Sequence, residues 1–185
     1  MRSLTIITTA VLCTAAAATA ERTPPYFTVG AELDVFPFAT GGYYGSVWAG
    51  YDGWRVRPVI ARAYTPSFVV DPAFDDARVD ALALIVDWFP LAGGDDFRGL
   101  WVGAGGEYWK NRIRREGYDE EASWSNGVAT LGGGYVLKFW HNFYFNGWAA
   151  AHVVVAGDRE IPVAAAIYEQ PIFTPEASLK IGWHF

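Results

Sequence analysis

Three groups of titratable residues in this 185-residue chain have the types and spacing that chemistry requires. The first is His152 with Glu176. A carboxylate that orients an imidazole is half of a catalytic triad and needs only a neighbouring hydroxyl or thiol to complete it. The second group is strung along the whole chain inside otherwise apolar stretches: Glu32, Asp34, Arg55, Arg57, Asp87, Glu107, Lys138, Glu176 and Lys180. Charges withdrawn from water cost several kcal/mol each unless they are paired, so these predict an internal ion-pair and hydrogen-bond network. The third group is the cation run Lys110, Arg112, Arg114 and Arg115, followed by Glu116, Asp119, Glu120 and Glu121. Four cations can grip phosphates through charge-assisted bonds. The acids that follow them offer a second reading, a hairpin that neutralises itself.

Other chemistries are disfavoured. His141, His152 and His184 fall on different faces or heights, and Cys13 stands in an N-terminal segment expected to be removed, so neither a metal nor a cofactor is expected. Gly132-Gly133-Gly134 lacks the Gly-Lys-Ser/Thr ending of a phosphate loop.

These residues must be positioned by a chain of unusual composition. It is 52% apolar and 17% aromatic but only 18% charged, with a net charge of -6. Few disordered chains are so aromatic, and the acidic balance opposes binding to nucleic acid. Arg2, an apolar run from Leu4 to Ala18 and the small residues Ala18-Thr19-Ala20 form a secretory signal peptide, giving a domain division of 1–20 and 21–185. Leu12 before Cys13 argues against lipidation. Beyond residue 20 there is no cysteine to form a disulfide framework. No stretch there approaches the roughly 18 apolar residues of a membrane-spanning helix.

The apolar residues alternate instead. Successive side chains of a strand point to opposite faces, so period two predicts strands. Eight are expected, near 26–36, 43–51, 54–64, 78–89, 99–109, 124–139, 142–155 and 173–185, with no helix after the signal segment. On the third, Trp54, Val56, Pro58 and Ile60 oppose Arg55, Arg57, Val59 and Ala61; on the fourth, Leu82, Leu84, Val86 and Trp88 oppose Ala81, Ala83, Ile85 and Asp87. Asp52-Gly53 is a two-residue hairpin turn. The strands reach about 10 residues, as a tilted crossing of a bilayer requires. Trp54, Trp88, Tyr108, Trp124, Trp140, Phe143 and Trp183 cluster near strand ends, where interfacial aromatics belong. Together these predict an all-β, eight-stranded, antiparallel up-and-down transmembrane β-barrel. Its apolar face is turned to lipid, and an interior filled by its own side chains leaves no open pore.

The terminal run Leu179-Lys180-Ile181-Gly182-Trp183-His184-Phe185 resembles the C-terminal signature of bacterial outer-membrane proteins. With the signal peptide and eight strands, the chain resembles the small barrels of the OmpA, OmpX and OmpW class. The resemblance implies export to the outer membrane and assembly by the barrel-assembly machinery, which would read Trp183 and Phe185. It also implies short periplasmic turns at 52–53 and 140–142, and external loops at 65–77, 110–123 and 156–171. The 37–42 connection is short for an external loop, and 90–99 is long for a periplasmic one. The two loops 65–77 and 156–171 are apolar (Phe68, Val69, Val70, Phe74, Ile161, Pro162, Val163, Ile167, Tyr168), which suits packing together as a lid, contact with lipid, or admission of a small hydrophobic ligand. Outer-membrane lipid A deacylases carry His and Ser two apart on one strand with Glu on the next. The comparable position here is Val154, expected toward lipid or the rim, so that activity does not carry over. The expected role is non-catalytic: envelope structure or surface interaction, with membrane lipid and lipopolysaccharide as partners and the chain as a monomer. The alternatives are binding or passage of a small hydrophobic molecule, and lipid modification at the rim.

Overall fold

Alternation along every strand becomes inside and outside once the sheet closes on itself. In the computed structural model, which describes residues 26–65, 71–91 and 96–185, the strands are β1 (Thr28–Asp34), β2 (Tyr43–Tyr51), β3 (Trp54–Tyr64), β4 (Phe74–Trp88), β5 (Gly99–Arg115), β6 (Glu121–Trp140), β7 (Phe143–Ala156), β8 (Glu160–Val163), β9 (Ala166–Glu169) and β10 (Phe173–His184). Eight of them form a closed antiparallel barrel, in the order β1-β10-β7-β6-β5-β4-β3-β2; β8 and β9 form a separate hairpin. The ring closes where β1 meets β10, from Gly30 opposite His184 to Asp34 opposite Lys180. The signal segment, Phe68, Val69 and Val70 lie outside the described residues.

One end of the barrel has short turns. Asp52 and Gly53 both have positive φ, 47° and 78°, the geometry that lets a two-residue turn follow the twist of its strands. The β4–β5 connection at this end is long, and the other end carries α1, the β5–β6 turn and the β8–β9 hairpin.

Three expectations about elements need correction. A helix is present: α1 (Val35–Ala39) follows β1 directly. The Asp34 carboxylate accepts the Phe36 N–H at 3.0 Å and caps it. Pro37 has no N–H for a sheet ladder, so β1 cannot continue through it and ends at Asp34. Strands β4, β5 and β6 run well past their expected ends, leaving only 116–120 of the third long connection outside β structure. The connection 156–171 contains a hairpin of its own.

The extensions were hidden because the alternation changes sense. Toward the turn end, Leu82, Leu84, Val86, Val102, Leu131 and Leu137 face outward and are exposed, while Glu32, Arg55, Arg57 and Asp87 face inward and are buried. Toward the loop end, Trp109, Ile113 and Val128 face inward and are buried, while Arg62, Arg78, Asp80, Lys110 and Arg112 occupy the outward positions. The upper barrel therefore has the pattern of a sheet in water.

Phe74, Ile113, Ile161 and Val163 form a buried cluster, with Trp124 and Tyr168 packed against it. The β8–β9 hairpin thus covers the ends of β4, β5 and β6. Trp124, expected in an aromatic girdle, instead packs under this hairpin, 5.6 Å from Tyr168. The girdle at the turn end includes the stacked pair Trp54–Trp88, and Trp183 against Phe143. The Gly132–Gly134 run stays within β6, where Gly134 leaves room for the Trp101 ring, which stacks on Trp148 at 5.1 Å.

Gly182 leaves the space that the buried Tyr144 ring occupies. Gly182→Val is expected to displace that ring and lower stability by about 1–3 kcal/mol, as overpacking does. Urea unfolding of the refolded protein, followed by tryptophan fluorescence, measures it.

Candidate functional site

The barrel interior has three levels. The lowest is a plug. Arg55 and Arg57 leave β3 on its inward face, and Asp87 enters from β4, where Asp87 stands opposite Arg55 in the register. Arg55 Nε donates to Asp87 at 2.8 Å and its Nη1 to Glu32 at 2.9 Å. Arg57 reaches the same Asp87 at 3.2 Å and donates to the Tyr44 hydroxyl at 3.0 Å. Glu32 also accepts from Tyr144 and Asn146, both at 3.0 Å. Two guanidiniums and two carboxylates, all at most 1% exposed, therefore cancel one another in place.

Aromatic rings enclose these charges. Arg55 lies 5.3 Å from the Trp48 ring, 5.1 Å from Phe89 and 5.5 Å from Trp101; Arg57 lies 5.2 Å from Trp148. Such contacts favour a cation most where water is excluded. Phe97 belongs to this layer too, tucked 5.3 Å from Trp48 and 5.3 Å from Phe89. The long 90–99 connection thus contributes an aromatic plug to the turn end.

Lys138, expected in the internal network, is not part of this cluster. It sits near the turn end of β6, partly exposed, and pairs with Asp96 of the 90–99 connection. Asp34 and Lys180 are buried, with Lys180 Nζ 4.0 Å from Asp34.

The middle level is a belt across four strands. Trp148 Nε1 donates to Glu176 at 2.8 Å. The other Glu176 oxygen lies 2.7 Å from His152 Nε2, although the two residues are diagonal: Thr174 stands opposite His152, and Ala150 opposite Glu176. On its far side His152 Nδ1 is 2.9 Å from Thr130 Oγ1 and 3.2 Å from Glu107. Thr130 and Trp109 both donate to Glu107, at 2.5 and 2.6 Å.

Thr130 is the partner that sequence reasoning missed. Its place opposite His152 on β6 depends on a register that no local pattern reveals. Val154 is corrected as well: it faces inward, 8% exposed, against Trp109 and Val128.

Thr130, His152 and Glu176 stand in the order of a triad, and the roles of the two ring nitrogens follow from the tautomer of His152. A hydroxyl has one hydrogen, and Glu107 and His152 Nδ1 both compete for that of Thr130. These hydrogen bonds tie β5, β6, β7 and β10 together.

The upper level is open. A cavity of about 580 Å³ extends from Arg57, Trp148 and Lys180 at its floor to α1 and the β9–β10 connection at its mouth. Alanines at 61, 81 and 83 line one side, where larger residues would have filled the space. The expectation of a filled interior thus holds for the lower barrel and fails for the upper.

The predicted cation run is divided. Arg112 pairs with Glu121 at 3.1 Å across the hairpin. Arg114 donates twice to Asp75 of β4, both bonds at 2.9 Å, and also reaches Asp76. These bonds hold the Asp75 carboxyl below its ordinary range, so their contribution is present at neutral pH and lost as pH falls. Arg115 covers the Tyr118 ring at 4.6 Å. Lys110 makes no ion pair among the described residues. Trp183 and Phe185 stand outward at the turn end, both exposed.

Two measurements check the plug. Asp87→Asn leaves Arg55 and Arg57 without their shared carboxylate and should cost roughly 3–5 kcal/mol in urea unfolding. Planar bilayers containing the refolded chain should pass no steady current, and regular unitary steps would overturn the plug.

No family model and no curated protein matches the sequence. Solved structures do match. Neisserial surface protein A superimposes with a TM-score of 0.50 at 13% identity, over 86% of this chain and 97% of that one. A major outer membrane protein from Thermus thermophilus gives a TM-score of 0.51 at 12% identity, over 86% and 98%. Both are outer-membrane β-barrels, and the fold of this chain is theirs: an all-β, eight-stranded antiparallel barrel.

Proposed function

We propose that the chain is a non-catalytic protein of the bacterial outer membrane, with a structural and surface-interactive role, whose outward basic collar holds the phosphates of lipopolysaccharide. The observation that carries this reading is the change in sense of the alternation. Ile60, Leu82 and Tyr108 are the last exposed apolar residues on the outward faces of β3, β4 and β5. The next outward positions are Arg62, Asp80 and Lys110, which stand beside one another in the register, with Arg78 opposite Arg112 just above. A hydrocarbon layer ends where charges begin, so this line marks the headgroup level of the outer leaflet.

The collar is not self-neutralising. Asp80 accepts Arg62 at 2.5 Å and lies 3.6 Å from Arg78, and Glu121 pairs with Arg112. Four cations thus share two carboxylates. The Nε atoms of Arg78 and Arg112 are shielded and lack a hydrogen-bond partner. The remaining guanidinium N–H groups and the Lys110 ammonium are suited to phosphate oxygens, which guanidinium groups bind in a fork geometry. Arg62 and Arg78 were missed in the sequence because each lies alone on its strand; only the register collects them. Arg114, by contrast, is committed to Asp75 and Asp76.

In this reading the loops face outward, the 52–53 and 140–142 turns face the periplasm, and Trp183 and Phe185 serve assembly. A monomer suffices, because the ring has no open edge to pair.

Arg78→Ala combined with Lys110→Ala leaves the Arg112–Glu121 pair intact. This variant should bind vesicles containing lipid A about tenfold more weakly, or ~1.4 kcal/mol. Vesicles containing dephosphorylated lipid A should show no difference between the two proteins. Equal binding of lipid A by both would refute the collar.

A further inference from the structure

The upper cavity has two unlike walls. Strands β3 and β4 present Val59, Ala61, Val79, Ala81 and Ala83, none with a polar side-chain atom. Strand β10 presents Thr174, Glu176, Ser178 and Lys180, alternate residues of one strand and therefore one polar stripe. The stripe ends at the floor on Lys180, which is 1% exposed.

The ammonium group there is under-used. It has three N–H donors, and its hydrogen bond among the described residues is to Ser178 Oγ at 3.0 Å. The Trp148 and Tyr44 rings lie 4.6 and 4.9 Å away and offer their faces but no lone pair. Nearby carboxylates are engaged elsewhere. Asp34, 4.0 Å away, caps α1; Glu176 accepts from Trp148 and His152; Asp87 serves the two arginines; Glu32 accepts through Oε1 from Arg55, Tyr144 and Asn146, and its Oε2 faces Arg57 at 3.5 Å. Arg57, the other cation at the floor, is already held by Asp87 and Tyr44. A buried ammonium with unfilled donors is costly, and an acceptor carrying negative charge relieves most of that cost.

We infer that this cavity binds a small amphiphilic acid, its alkyl or ring body against the alanine-rich wall of β3 and β4 and its carboxylate on Lys180. The cavity volume of about 580 Å³ lies within the usual range of small-molecule sites. The mouth is formed by Pro37, Thr40, Gln170 and Pro171 at the loop end. The aromatic and ionic plug closes the floor, so the ligand enters and leaves by the same mouth. The site is a binding pocket rather than a passage. Of the four collar cations Arg112 reaches the cavity lining, whereas Arg62, Arg78 and Lys110 do not.

Three probes of equal chain length test this: decanoate, methyl decanoate and decylamine, each titrated calorimetrically into the full refolded chain in detergent micelles, with empty micelles subtracted. Decanoate should bind at least tenfold tighter than the ester or the amine. Lys180→Met, which keeps the length and removes the charge, should reduce decanoate to the level of the ester. Ala81→Phe, which fills the apolar wall and leaves Lys180 in place, should weaken decanoate binding at least tenfold, and it decides the matter if Lys180→Met fails to fold. The Arg78→Ala, Lys110→Ala protein should bind decanoate normally. Equal binding of the three probes, tighter binding of decylamine, or decanoate binding unaffected by Ala81→Phe would overturn the site.

Discussion

Closure of the sheet is the constraint on which everything else rests. When β1 pairs with β10, each barrel strand gains two neighbours and the ring itself has no edge. The period of two along each strand then has only two destinations, the interior and the outer surface. Eight strands enclose a narrow space, so the inward residues of one strand must meet those of the strands opposite. That is why Glu32 from β1, Arg55 and Arg57 from β3 and Asp87 from β4 converge. Residues distant in the chain become a neutral cluster because closure leaves them nowhere else to go.

The interior divides into regions of different physics. At the turn end large rings and paired ions fill the space, and small residues such as Gly134 and Gly182 make room for them. At the level of His152 the hydrogen bonds run sideways between strands and are largely satisfied. Above it, alanines replace large side chains and a cavity opens. A fully packed upper half would have needed large residues at 61, 81 and 83; the outward faces of the same strands show no such thinning, with Ile60, Leu82 and Leu84 alongside. The emptiness therefore belongs to the inner face alone.

The outer surface changes character at the same height. Below Ile60, Leu82 and Tyr108 the barrel presents apolar side chains to its surroundings, and above them it presents ions. Strands β4, β5 and β6 continue across that boundary without a break in the ladder, so one continuous sheet serves two environments. The β8–β9 hairpin covers part of the upper sheet with Ile161 and Val163, giving that region the two-layered core expected of β structure in water.

The order of apolar and polar residues determined the eight barrel strands, the Asp52-Gly53 turn and which face of each barrel strand turns inward, because side-chain direction in a strand is a local property. It also marked Arg55, Arg57 and Glu32 as residues in need of partners. What it could not supply was the register, which is set by closure and by contacts between distant strands. Only the tertiary structure paired His152 with Thr130, turned Val154 inward, sent Lys138 to Asp96 and gathered Arg62, Arg78 and Lys110 into one collar. The helix at 35–39 and the extended β5–β6 hairpin were obscured for a related reason. The first is a short capped turn with no period of its own, and the second reverses its alternation where its surroundings change. The cavity was the least legible feature, since an alanine facing a void and an alanine facing a neighbour are written alike.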